Sequence, residues 1–306
     1  MVQPSPRWGR RLTVAKSNPG VNLGGVAAHG DHVSRPLSAP AAGAGSRRTG
    51  LSHEQLGESG PLLVFLHGVG GTMGYWKSRV APLAGTHRLL LIDLLGFGRS
   101  PKPWTRYTVE RHVRELHDLL DGRGPFELIG HSFGAIAAMA YAAQYPAAVE
   151  QLILLGLPYF GSEERAIDHF RHSSSPDRWV MTNMALAAVT CIVTRRVMCR
   201  MLPWLLPDMP RDVLDDLVRH TWRSFTSTLW EGVYRHDVAE DAARLRADLP
   251  VLLLHGDRDA NAPLDGVRRL MAGRPRWTLR LLPGADHHPL LRDPAWCVHE
   301  IGAAVS

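Results

Sequence analysis

Cysteine is scarce in this chain of 306 residues: only Cys191, Cys199 and Cys297, an odd number with no C-x-x-C spacing. That excludes a disulfide framework and a cysteine-held zinc, and the cytoplasm is the expected location. Long apolar runs are lacking too. The longest, Met184–Val193, stops at Thr194-Arg195-Arg196, far short of the roughly 20 residues that span a bilayer. It also lacks the strong polar face of an interfacial helix, so no stable membrane insertion is expected. Acid is nearly absent from the first fifty residues, where Asp31 stands alone against seven Lys and Arg.

That imbalance explains the net charge of +6. Beyond residue 50 the chain carries 28 basic and 28 acidic groups, so its body is neutral. A nucleic-acid-binding fold carries its basic footprint on the folded domain itself, so no nucleic-acid partner is expected. Residues 1–50 are rich in Gly, Ala, Ser, Pro and Arg without a period of 2 or 3.6, and read as a disordered basic arm. Arg10-Arg11 ahead of Ala27-Ala28 has the outline of a twin-arginine signal, but Lys16-Ser17-Asn18-Pro19-Gly20 interrupts the apolar stretch such a signal needs. With 45% hydrophobic and 21% charged residues, the remainder can bury a substantial core, which excludes a fibrous or wholly disordered protein.

From residue 61 short apolar runs alternate with helical stretches, the pattern of βαβ units around a mostly parallel sheet. The strand-like runs are Leu62–Leu66, Leu89–Ile92, Phe126–Ile129, Leu152–Leu155, Val251–Leu254 and Leu279–Leu282. Helices are expected over Tyr75–Leu83, Val109–Leu120, Phe133–Gln144, Leu264–Met271 and Ala295–Ala303. The alternation breaks between Pro158 and Leu245. The composition there is helical, broken by Pro176, Pro203, Pro207 and Pro210. The expected fold is therefore α/β, with a core over 51–157 and 246–306 and an all-helical cap over 158–245 inserted between sheet strands.

Gly130-His131-Ser132-Phe133-Gly134 follows a strand-like run and precedes the Ala-rich stretch from Ala135 to Ala140. That is the strand–turn–helix context of a G-x-S-x-G nucleophile elbow. The two glycines are expected to permit a sharp turn, and Ser132 to sit at a helix N-terminus whose dipole favours developing negative charge. Three further segments follow strand-like runs: His67-Gly68-Val69-Gly70-Gly71, His255-Gly256-Asp257-Arg258-Asp259, and Gly284-Ala285-Asp286-His287-His288-Pro289. Open α/β sheets place their sites at these C-terminal strand ends.

With these residues the chain resembles the α/β-hydrolase superfamily over about residues 60–304. His67-Gly68 resembles its oxyanion loop, and Asp93-Leu94-Leu95-Gly96-Phe97-Gly98-Arg99-Ser100 its D-x-x-G-x-G-x-S turn. Gly256–Asp259 is similar to the acid turn and His287-His288-Pro289 to the histidine loop. Two departures stand out: Asp286 occupies a position where the family often has Gly, and no clear first strand precedes Leu51. The resemblance implies a nucleophile–base–acid set of Ser132, His287 and Asp259. It also implies an oxyanion hole from the backbone N–H groups of Val69 and Phe133, worth roughly 3–4 kcal/mol per donor in comparable sites. No metal or other cofactor is implied.

His288 competes with His287 for the base role and Asp257 with Asp259 for the acid role. The family's H-x-P and G-x-x-D spacings select His287 and Asp259, leaving Asp257 to cap its turn. Asp93 is expected to fix its own turn, and His67, His131 and His255 to pack. The cap holds four of the nine Trp and five of the nine Met. Some must form its core; Trp179, Met184, Trp204 and Trp222 are expected to contact an apolar small-molecule substrate. The expected activity is hydrolysis of an ester, thioester or related carbonyl bond through an acyl-enzyme. Carbon–carbon hydrolysis of a diketone-like substrate, and ligand-binding or lyase use of the same pocket, stand as alternatives.

Overall fold

The apolar runs become the strands of one sheet. A computed structural model describes residues 50–173, 178–196, 204, 209–216 and 218–305. Its strands are β1 (His53–Leu56), β2 (Leu62–Leu66), β3 (Arg88–Ile92), β4 (Phe126–His131), β5 (Val149–Leu155), β6 (Val251–Gly256) and β7 (Trp277–Leu282). They lie in the order β1-β3-β2-β4-β5-β6-β7. Only β1 runs antiparallel, pairing His53 to Ile92 on β3. β2, β4 and β6 are buried on both faces, which is why they read as continuous apolar runs. β1 alternates between exposed and half-buried and spells His-Glu-Gln-Leu, an edge strand too short and polar to show as an apolar run. The sheet thus begins after Leu51.

The helices of the core are α1 (Gly74–Val80), α2 (Val109–Leu120) and α3 (Phe133–Gln144) before the insertion. Between β5 and β6 come α4 (Glu163–His172), α5 (Arg178–Thr182), α6 (Met184–Arg196), α7 (Arg211–Asp216) and α8 (Trp222–Ser227). A π-helical segment Thr228–Tyr234 and α9 (Val238–Arg244) complete the insertion. After β6 the chain forms α10 (Leu264–Met271), α11 (Pro289–Arg292) and α12 (Pro294–Ala304). The sheet divides the core into two apolar layers. Val64, Leu66, Leu128 and Leu253 face α2, α3, α9 and α10. Leu63, Phe65, Ile129 and Leu254 face α1 and α12, where Trp76, Cys297 and Ile301 close the layer. α3 is apolar all round and buried along nearly its whole length, as befits a helix lying between sheet and insertion.

Among the described residues the insertion is wholly helical, and it shares one compact unit with the sheet over 47–306. It has a small core of its own, in which Phe160, Phe170, Trp230 and Tyr234 pack together. The Tyr234 hydroxyl donates to the Met181 carbonyl at 2.7 Å. Arg235 holds Glu163 with two bonds, at 2.8 and 3.2 Å, and Arg106 reaches across from the core to Glu231 at 2.7 Å. The expected arm over 1–50 lies outside the described residues, Gly50 excepted.

Candidate active site

Parallel register brings the C-terminal ends of the central strands to one edge: Leu66 pairs with Ile92 and Gly130, His131 with Leu155, and Leu155 with Leu254. Successive strands depart in opposite directions from β2, leaving a crevice between the loops after β2 and β4. Ser132 is the residue at the tip of the turn between β4 and α3. It takes φ 52°, the one non-glycine residue with positive φ among those described. Strain of this kind, in the range of 1–3 kcal/mol, persists only where surrounding structure imposes it. Here the Ser132 N–H donates to the Leu155 carbonyl at 2.9 Å, while its own carbonyl accepts from the N–H groups of Ala135 and Ile136.

The two elbow glycines serve close approach rather than the turn angle expected of them. Neither has positive φ. A Cβ on Gly130 would lie 2.3 Å from the Gly134 carbonyl oxygen, and one on Gly134 would lie 2.3 Å from that of Leu66. They allow the first turn of α3 to sit directly on the ends of β4 and β2.

His287 comes from the loop after β7 and Asp259 from the loop after β6. A carboxylate can only accept, so the 2.8 Å bond between His287 Nδ1 and Asp259 Oδ2 places the imidazole proton on Nδ1. His287 Nε2 is then an acceptor for the Ser132 hydroxyl, 2.9 Å away. The other oxygen of Asp259 is occupied by the N–H groups of Asn261 and Ala262, each at 2.8 Å. Burial works against ionisation of Asp259, but the interactions with His287, then with His255 and the Ala262 N–H, together more than offset it and hold the carboxyl below its ordinary pKa.

Four other histidines near the site, His67, His131, His255 and His288, are buried or half-buried, and desolvation is the first cause that lowers the pKa of each. His288 is pushed down to about 4; it lines the same cavity as Ser132 with its Nδ1 unpartnered, while the bond to Ser132 is made by His287. His131 stacks on Tyr75 at 4.6 Å and donates from Nε2 to the main-chain carbonyl of His287 at 2.8 Å, with its pKa driven well down by burial. His67 donates from Nδ1 to the Gly68 carbonyl and accepts the Leu94 N–H at Nε2, tying the β2 loop to the β3 loop. His255 donates to the Ala262 carbonyl at 2.7 Å. Asp93 accepts the N–H groups of Met73 and Arg99, each at 2.8 Å, and fixes its turn. Asp257 accepts the Gly284 N–H at 2.6 Å, joining the acid and histidine loops.

Gly68-Val69-Gly70-Gly71 forms a tight turn closed by the Gly71 N–H on the Gly68 carbonyl at 3.1 Å, with Gly70 at φ 77°. The Val69 N–H is not spent on that bond. Phe133 is the first residue of α3, so its N–H has no partner within the helix. Gly68, Val69, Ser132 and His287 all line one cavity of about 190 Å³. On the cap side that cavity is lined by Phe170, Met181, Met209, Val213, Phe225, Leu229 and Val233. Leu229 and Val233 sit four apart on the π segment. A Cβ on Gly232 would lie 2.4 Å from the Phe133 ring, so the segment rests directly against the elbow.

None of the four cap residues expected at the substrate lines this cavity. Trp179, Met184, Trp204 and Trp222 are 62%, 42%, 87% and 37% exposed on the outside of the cap. Leu229 and Val233, which do line it, were not singled out by the sequence, which shows their i, i+4 spacing but not which face of a cap helix turns inward. Among the described residues no group of three His, Cys, Asp or Glu is arranged to hold a metal ion, and no helix is long and apolar enough to cross a membrane.

Comparison with known proteins bears on the family and the fold. An uncharacterized protein of Mycobacterium tuberculosis is 28% identical over 253 residues, covering 78% of this chain and 73% of its own length. The probable lysophospholipase BODYGUARD 1 of Arabidopsis thaliana is 26% identical over 258 residues, covering 74% of this chain and 54% of its own. Among solved structures, a thermophilic esterase from Thermogutta terrifontis superposes with a TM-score of 0.64 at 21% identity, covering 83% and 92% of the two chains. Residues 63–300 match the alpha/beta hydrolase family, from β2 into α12 and across all three loops of the site. The chain belongs to that family of hydrolases.

Proposed function

We propose that this protein is a serine hydrolase acting on a carboxylic ester, thioester or related carbonyl bond of an apolar small molecule, with residues 158–245 as its lid. The observation that carries the reading is the unbroken hydrogen-bonded line from Ser132 Oγ through His287 to Asp259 at the floor of an apolar cavity. His287 Nε2 takes the Ser132 proton as Oγ attacks the carbonyl carbon. Asp259 stabilises the resulting imidazolium without taking the proton itself. The carbonyl oxygen becomes an oxyanion held by the N–H groups of Val69 and Phe133. Collapse breaks the bond to the alcohol or thiol, which leaves with the proton from His287. Water, deprotonated by the same His287, then attacks the acyl-enzyme and releases the acid.

The cavity lining favours a neutral substrate. Among its described residues no Arg, Lys, Asp or Glu is present, and histidine is the sole ionisable type besides Tyr75. A substrate carboxylate would enter it unpaired, at a cost of several kcal/mol. The test is intact-protein mass after brief exposure to a fluorophosphonate, followed by initial rates on a panel of neutral acyl esters. A single adduct on the wild type, absent from Ser132→Ala and strongly slowed in His287→Ala, is expected. No adduct on a folded wild type, with no ester turnover, would overturn the acyl-enzyme reading.

A further inference from the structure

Besides its own core and the cavity lining, the cap carries apolar residues on its outside. Of the ten large hydrophobic side chains that stand exposed among the described residues, eight lie between Trp179 and Trp222, and a ninth, Trp104, packs edge-on against Trp222 at 5.9 Å. On α6 the arrangement is inverted relative to an ordinary surface helix: Ala187 is its buried residue, while Leu186, Val189, Ile192 and Val193 face solvent. Their spacing of i, i+3, i+6 and i+7 makes one continuous stripe that ends in Arg195 and Arg196.

Beside that stripe lies a second cavity, of about 380 Å³, bounded by the C-terminal half of α6, the start of α8 and the Lys102–Trp104 loop. Lys102, Arg195, Arg196 and Arg223 all line it, and among the described residues no carboxylate does. Arg223 lies over the Trp104 ring at 4.1 Å. Burial lowers the Lys102 pKa against the opposing charge of Asp93, and the like charges of Arg195 and Arg219 add to the lowering. From Arg178 to Arg196 the chain carries three arginines and no acid, although the body of the protein is neutral overall.

We propose that the outer face of α6 and the adjoining Trp104–Trp222 cleft form a docking surface for a bilayer containing anionic phospholipid. The aliphatic stripe supplies buried apolar area at the headgroup boundary, the two indoles take the interfacial level, and the Lys and Arg side chains meet lipid phosphates. Read alone, α6 lacks the polar face of an interfacial helix; the fold supplies that flank from Lys102 and Arg223, outside the helix. A second copy of the chain packed through the same face fits poorly, because it would set the arginines of one copy against those of the other. A nucleic acid would leave the aliphatic stripe unused. The surface is tied to the cavity at Ser132 through α8, whose Trp222 faces the bilayer side and whose Phe225 lines the other.

The test is co-sedimentation of the full chain with vesicles of phosphatidylcholine, alone or with about one-third phosphatidylserine. Binding to the anionic vesicles is expected, weak without phosphatidylserine and falling as salt rises. Arg195→Gln with Arg196→Gln should weaken it about tenfold or more, and Val189→Ser with Ile192→Ser should weaken it independently of salt. Arg268→Gln with Arg269→Gln, an equal loss of charge on exposed positions of α10, should leave it unchanged. All are surface substitutions, and melting temperatures within a few degrees of wild type would confirm that folding is intact. The proposal is overturned if the wild type stays in the supernatant, or if the α6 and α10 variants behave alike. It is overturned equally if the α6 variants bind as well as wild type, which would assign the binding to the basic residues of 1–50, or if they instead abolish a dimer seen by sedimentation.

Discussion

Replacing Asp259 by Asn tests the proposed chemistry most sharply, because the local hydrogen bonds leave the new amide one orientation. Oδ1 accepts two backbone N–H groups, from Asn261 and Ala262, at 2.8 Å each. The amide oxygen must take that place, since an NH2 there would face two donors. The NH2 is then directed at His287 Nδ1, which must become an acceptor and pass its proton to Nε2. The base would thus present a proton, rather than a lone pair, to Ser132 Oγ at 2.9 Å. Triads forced into this tautomer lose about 10⁴ in kcat, equivalent to roughly 5 kcal/mol of transition-state stabilisation. The assay is single-turnover acylation by a neutral ester beside the rate of fluorophosphonate labelling, with KM expected to change little. A loss below about tenfold in a folded variant would refute the proposed role of the Asp259–His287 bond. The same substitution removes a pH dependence of stability. Because the folded-state pKa of Asp259 is depressed, its contribution is present above the unfolded-state value of about 4 and fades as pH falls through the folded-state value. Acid unfolding of Asp259→Asn should therefore be less steep than that of wild type.

Gly134→Ala should cost on the order of 1–3 kcal/mol in urea unfolding, since its Cβ meets the main-chain oxygens of Leu66 and His67, which cannot swing aside; unchanged stability would contradict the packing described. His131→Phe keeps the stack on Tyr75 but removes the donor to the His287 carbonyl, so stability should fall by about 1–3 kcal/mol and kcat should drop with KM held. Leu229→Trp fills part of the 190 Å³ cavity and should move the preferred ester toward shorter acyl chains, read as a KM rise confined to the longer members of the panel. Trp204→Ala, at a position 87% exposed, should leave ester kinetics and stability within about 0.5 kcal/mol of wild type; a changed chain-length profile would return that residue to the substrate site.

The glycine and cap results share a cause. A motif specifies which residues meet, whereas packing specifies which atoms need room. G-x-S-x-G pointed to a turn, yet the positive φ falls on Ser132; Gly130 is demanded by the first turn of α3 at Gly134, and Gly134 by the end of β2, which only the assembled sheet brings near. Likewise Met and Trp at helical spacing say that a cap helix has an apolar side, without saying which way it turns. On α6 that side turns outward.

The sequence by itself determined the fold class, the order of elements, and the three loops that carry Ser132, Asp259 and His287. Those features are local: strand runs buried on both faces are continuously apolar, and each loop residue is fixed by its distance from the end of its own strand. The edge strand β1 was hidden because an edge needs no apolar run. The H-x-P resemblance already selected His287 over His288; the tertiary structure supplied the geometry, with His287 Nε2 2.9 Å from Ser132 Oγ and the His287 carbonyl held by the distant His131. Only the tertiary structure decided which cap side chains line the cavity and which face solvent. That choice depends on the angle at which each helix packs over the sheet, a long-range property that no spacing along the chain encodes.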